Sequence, residues 1–237
     1  STKDFSEVGD FTPDVEAWVA VNPDSELIPV ARANGVAHAL VVPMGGTVSG
    51  TSGLVRLDGW GVEAMTVKRP VALHVWWPGL ALNATAKEHW SAPKQFKSIK
   101  EQSRNRKLLQ AKIDDFFDDA KAYANSKKIG GKDFAIVPAW EAMLPFVVGE
   151  APIMVHAYEL RQIKMAVEWA KRRKFRIILA GARDAWQTAE LLAKEKVPVI
   201  FQHVFTAPHR DFDPHDVHFR TPGFLLKAGV KLAIGLR

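Results

Sequence analysis

The chain has 237 residues and not one cysteine. That excludes disulfides and thiolate chemistry, and it leaves the redox compartment open. No apolar run approaches the roughly 18 residues that a membrane-spanning helix needs. No solenoid-type repeat is visible. A nucleophile elbow, a dinucleotide-binding glycine fingerprint and an HExxH helix are all missing. The glycine-rich stretch "MGGTVSGTSG" (Met44 to Gly53) has no lysine where a phosphate-binding loop carries one. A net charge of +6 points towards a polyanion. Its carriers, however, are mixed with Asp and Glu in "KSIKEQSRNRKLLQAKIDDFFDD", and Lys171, Arg172, Arg173 and Lys174 fall where a helix ends and cations favour its dipole. No groove-reading motif accompanies them, so neither nucleic acid nor a membrane is the expected partner.

The hydrophobic fraction, 47%, is that of a globular chain with a sizeable core. The first 25 residues read as an irregular lead-in with a short helix. "NPDSELIPVARANG" reads as a helix capped by Asp24 or Ser25, with Leu27, Ile28, Val30 and Ala31 on its apolar face and Gly35 as its stop. Val36 to Pro43 is a near-continuous apolar strand, and the loop Gly45 to Gly53 follows it. Val71 to Gly79 is another strand, and Lys97 to Lys128 a long amphipathic helix with Leu108, Leu109, Ile113, Phe116, Phe117, Ala120 and Tyr123 on its apolar side. A shorter helix spans about Trp140 to Val148. The last third alternates strand and helix: Ile153 to His156, Glu159 to Lys174, "FRIILAG", Asp184 to Lys194, "VPVIFQH", Pro222 to Ala228, "GVKLAIG". Such alternation predicts parallel strands with right-handed crossovers, six in all, within one α/β domain covering residues 1–237.

In this class of fold, chemistry gathers at the carboxyl ends of the strands. His156 ends its strand, and imidazole is the commonest neutral metal ligand. His203 holds the same place on a later strand. His74 and His38 lie within strands, where burial with one hydrogen bond is the expected fate. "HRDFDPHDVH" (His209 to His218) is rich in ligand-type residues, but Pro208 and Pro214 break it into turns, so it reads as a polar loop bordering the site. Glu141 and Glu150 flank the helix before the His156 strand.

The order "ARANGVAHALVVPMGGTVSGTSGLVRLDG", "RPVALHVWWP", "PIMVHAYELRQIKMAVEWAKR", "AGARDAWQTAELLAKEKVPVI", "HDVHFRTPGFLLKAGVKLAIG" resembles the amidohydrolase superfamily, nearest its imidazolonepropionase-related branch. The resemblance implies a distorted (β/α) barrel of metal-dependent hydrolase type. It implies hydrolysis of C–N bonds in small, in part cyclic, amides by water activated on one or two divalent metals, zinc foremost. It implies His156 as a metal ligand, with His203, His209, Arg183 and Glu159 as candidates for substrate or supporting contacts. Three departures accompany it. The first metal motif and the small β-sandwich of the family are absent, Ala180-Gly181 stands where the family has a His-Gly pair, and the chain stops at "AIGLR" near the place of a metal-binding Asp. The expectations are therefore an incomplete barrel with edge strands at Val36–Pro43 and Val230–Ile234, completed by further chain segments or a homo-oligomer, and weak or no metal binding by this chain alone. A barrel that has lost its metal and keeps a binding role is the alternative. Compartment and substrate stay open.

Overall fold

A computed structural model describes residues 9–89, 96–130 and 134–235. Nine strands and seven helices are labelled here in chain order. The strands are β1 (His38–Val41), β2 (Val48–Thr51), β3 (Gly53–Arg56), β4 (Thr66–Lys68), β5 (Leu73–Trp76), β6 (Ile153–Ala157), β7 (Ile177–Gly181), β8 (Val199–Phe201) and β9 (Leu232–Ile234). The helices are α1 (Leu27–Ala33), α2 (Val62–Met65), α3 (Ile99–Ile129), α4 (Pro138–Val147), α5 (Leu160–Arg173), α6 (Ala189–Lys194) and α7 (Val217–Lys227).

The main sheet runs β2-β5-β6-β7-β8-β9. Strands β5 to β9 are parallel and lie side by side in sequence order, and β2 joins antiparallel to β5. Each of the four crossovers moves one strand along in the same direction. Right-handed crossovers of that kind place their helices on a single face of the sheet. Ile153, Val155 and Ala157 of β6 pack there with Ile113 and Phe117 of α3 and Ile163 and Val167 of α5. The opposite face holds Ala72, Met154 and Ala180, against which Leu40 of β1 packs.

Five parallel strands form, not the expected six. Strand β1 belongs instead to a separate antiparallel sheet, β1-β3-β4. The stretch from Met44 to Gly53 is not simply a loop: it contains β2, whose Val48, Ser49, Gly50 and Thr51 are all buried. Small residues are required there because the lead-in runs along β2, with bridges at Phe11–Val48 and Glu16–Thr51. A Cβ on Gly50, whose φ is +116°, would lie 2.4 Å from the carbonyl oxygen of Val15. In α1 only Ile28 and Ala31 face the small core around Trp18, while Leu27 and Val30 point outward. Among the described residues the main sheet is open. Strand β9 stands at the edge of the main sheet as expected, with Ile234 exposed, whereas β1 is an edge of the small antiparallel sheet and not of the main one. No helix among the described residues is long and apolar enough to cross a membrane.

Helix α3 starts at Ser98, whose hydroxyl accepts from the Glu101 N–H at 3.2 Å, and ends at Gly130. One ionic cluster fastens it to α5. Asp114 accepts from Trp169 Nε1 at 3.1 Å, from Arg172 Nη2 at 3.0 Å and from Arg173 Nε at 2.8 Å. The Arg173 side chain is only 10% exposed. Removing the Asp114 carboxylate leaves Arg173 paired with Asp118, at 2.6 Å, but takes the acceptor from Trp169 Nε1 and Arg172 and weakens the tie between the helices. Asp114→Ala is expected to cost about 2–3 kcal/mol and to lower Tm by roughly 4–10 °C, read by thermal unfolding.

Candidate active site

Side chains alternate along β5, so His74 and Trp76 face away from the helices while Leu73 and Val75 join the core. The parallel register sets Trp76 beside His156 of β6, and His156 beside Ala180 of β7. The indole of Trp76 stacks on the His156 ring, with centroids 3.8 Å apart and planes inclined by 11°. His74 Nδ1 lies 2.9 Å from His156 Nε2, so one of these nitrogens carries the shared proton. Trp76 Nε1 donates to Ser49 Oγ at 2.9 Å, and that hydroxyl donates on to the Pro43 carbonyl at 3.4 Å. His74 is fully buried and His156 nearly so. Burial pushes the His74 imidazole down to about 3, so it is neutral at ordinary pH. The expected single hydrogen bond of His74 is present, and its partner is the candidate ligand itself.

The carboxyl rim beyond these strands brings together three of the other sequence candidates. Arg183, just after β7, lies 3.6 Å from Glu159 and 3.7 Å from Asp184. His203, two residues past β8, meets Tyr158 edge to face at 5.7 Å and His218 at 6.1 Å. His209 is exposed and joins no contact described here. A cavity of about 220 Å³ opens at this rim, lined by Leu80, Ala81, Glu159, Leu160, Arg161 and Arg210. A roomier groove, about 750 Å³, lies on the outer helix layer between α3, α5 and α6. It lies on the helix layer, away from the carboxyl ends of the strands, whereas the smaller cavity takes Glu159 and Arg210 of the rim into its lining.

Asp184 and Gln162 of the rim escaped sequence reasoning, and His218 was read only as part of a polar loop. Asp184 is buried, accepts from the Leu160 N–H at 3.1 Å at the start of α5, and pairs with Arg210. Gln162, also buried, accepts from the Glu159 N–H at 3.0 Å and donates to the Trp77 carbonyl at 3.1 Å, tying the start of α5 to the end of β5. His218 lies on α7, which begins at Val217 and carries Pro222 inside it, five residues earlier than the helix expected at Pro222. Its Nδ1–H donates to the Thr206 carbonyl at 2.9 Å, and Thr206 Oγ1 also reaches His203 Nδ1 at 3.4 Å. The polar loop from His209 to Asp216 does border the rim, through Arg210. An acidic residue three positions after the glycine that ends β7 was the available signal for Asp184. Nothing in the sequence marked Gln162.

A catalytic zinc needs three protein ligands and one open position. Among the described residues no three histidine or carboxylate side chains gather to hold an ion. The two imidazoles nearest each other share a proton, and the next strand offers Ala180. The described residues therefore do not fit a complete zinc centre.

No family model matches the chain, and no curated protein matches it. Among solved structures, the crystal structure of an amidohydrolase from Thermotoga maritima MSB8 is similar, with a TM-score of 0.76 and 23% identity. The likeness covers 98% of this chain and 59% of that one, so the chain spans 59% of the length of the structure it matches. What this establishes is the fold: an α/β arrangement of mixed sheet and helices like that of an amidohydrolase.

Proposed function

We propose that the chain is the core of a hydrolase of the amidohydrolase kind, which cleaves C–N bonds of small, in part cyclic, amides at the carboxyl rim of β5 to β8. The observation that carries this reading is the extent of the fold likeness, nearly the whole chain, combined with the burial of His156 at the rim end of its strand. The segment order supports the imidazolonepropionase-related branch, an incomplete barrel and a small-molecule amide as substrate. In this reading Glu159, which lines the rim cavity, and Arg183 beside it orient the substrate, and His203, held by Thr206 at the same rim, is the ring that accepts or gives a proton. A divalent metal, zinc by preference, would need ligands beyond the described residues in addition to His156.

A second reading, a barrel that binds its ligand without metal, is favoured by Ala180 beside His156 and by the indole covering that ring. Assays against cyclic amides and dipeptides, with zinc or manganese added, separate the two. Under the hydrolase reading, His156→Ala lowers kcat/KM by about 100-fold or more while circular dichroism stays native. Hydrolysis that survives this replacement removes the metal role of His156. Ligand binding without any turnover, with or without metal, sinks the hydrolase reading.

A further inference from the structure

We infer that the His74–His156 pair is a structural tie in this chain: it joins β5 to β6, reaches β2 and the segment after β1 through Trp76 and Ser49, and does not serve as a zinc site. Three positive features carry the inference. The nitrogen that His156 turns towards β5 is already bonded to His74, at 2.9 Å. One face of its ring is covered by the Trp76 indole, and that indole is itself pinned by its N–H to Ser49. The neighbour across the β6–β7 register is a methyl group, Ala180, which is buried against Met154 and Ala72 rather than offering a donor. Two carboxylates of the rim are engaged with other groups: Asp184 with the Leu160 N–H and Arg210, Glu159 with Arg183. A polar pair sealed on the inner face in this way acts on stability, since each ring satisfies a partner that has no water to turn to.

The inference does not rest on the hydrolase reading and stands against one part of it, the metal role of His156; it is read by metal content and unfolding rather than by turnover. The experiment is a double-mutant cycle of His74→Phe and His156→Phe on the full chain, followed by thermal unfolding with excess chelator and with excess zinc chloride, alongside elemental analysis of the unmodified chain. Each single replacement is expected to lower Tm by roughly 5 °C or more, because it leaves one buried imidazole without its partner. The double replacement is expected to lower Tm by clearly less than the sum, and chelator and zinc are expected to leave all four proteins alike. Strict additivity of the two replacements overturns the tie. So does stoichiometric zinc in the unmodified chain with a Tm rise of roughly 5–10 °C in zinc that His156→Phe abolishes. Should a single variant fail to fold, the zinc titration and elemental analysis of the unmodified chain decide.

Discussion

Phe117→Ala is expected to destabilise the chain by about 4 kcal/mol and to lower Tm by roughly 10 °C. Phe117 is fully buried on the inner face of α3, with ring centroids 5.1 Å from Trp169, 5.3 Å from Phe175 and 6.1 Å from Phe116. These rings come from α3, from α5 and from the turn that leads into β7, so the truncated side chain leaves a cavity between elements that cannot collapse towards one another independently. Large-to-small changes at such places combine lost transfer energy with the void left behind. Leu108→Ala on the same helix is the control. That residue is 50% exposed, and its truncation is expected to change stability by less than about 0.5 kcal/mol. Urea unfolding of the two variants checks both. Equal effects would mean that α3 is not seated on the sheet as described.

Acid is expected to weaken the fold well before any carboxylate is protonated. His74 has its pKa lowered from 6.5 to about 3 by burial, so the folded chain holds it neutral while the unfolded chain protonates it below 6.5. Between those two values the unfolded state binds more protons, and stability rises with pH. The contribution is fully present above 6.5, falls as pH drops, and is exhausted near pH 3. One pKa unit corresponds to about 1.4 kcal/mol, so going from pH 7 to pH 5 is expected to remove about 2 kcal/mol through this single ring. Urea midpoints taken at intervals from pH 8 to pH 4.5 check this. In His74→Gln the slope across this window is expected to flatten. An unchanged slope in that variant would assign the acid sensitivity to other groups.

The parallel half of the fold was legible because its signals are local. Continuous apolar runs such as "IMVHA" and "IILAG", with amphipathic segments between them, define β6, β7 and α5 at nearly the boundaries observed. The first 70 residues were harder to read. β2 is built from Val48, Ser49, Gly50 and Thr51, a composition that suggests a loop, and it is a strand because Phe11 and Glu16 bridge to it from far along the chain. The partner of β1 is β3, and no local pattern distinguishes an apolar strand with an antiparallel neighbour from one with parallel neighbours. At the site, the position of His156 followed from the strand ending there. Its bond to His74, 82 residues earlier, depended on the β5–β6 register and was not accessible. Arg183 and Glu159 were found near each other, while the carboxylate that Arg183 shares with Arg210, Asp184, was overlooked because acidic residues at helix starts are common.

The two flanks of the main sheet are unlike. On the β2 side the lead-in forms bridges, contributes the Thr12 N–H to Val48 at 2.8 Å and takes the Thr51 N–H onto Val15 at 2.8 Å. On the β9 side the outward amide and carbonyl groups of a short strand meet no described neighbour. Among the described residues the flank left without a neighbour is that of Leu232–Ile234, and a strand added there would lie on the far side of β8 from the imidazole pair.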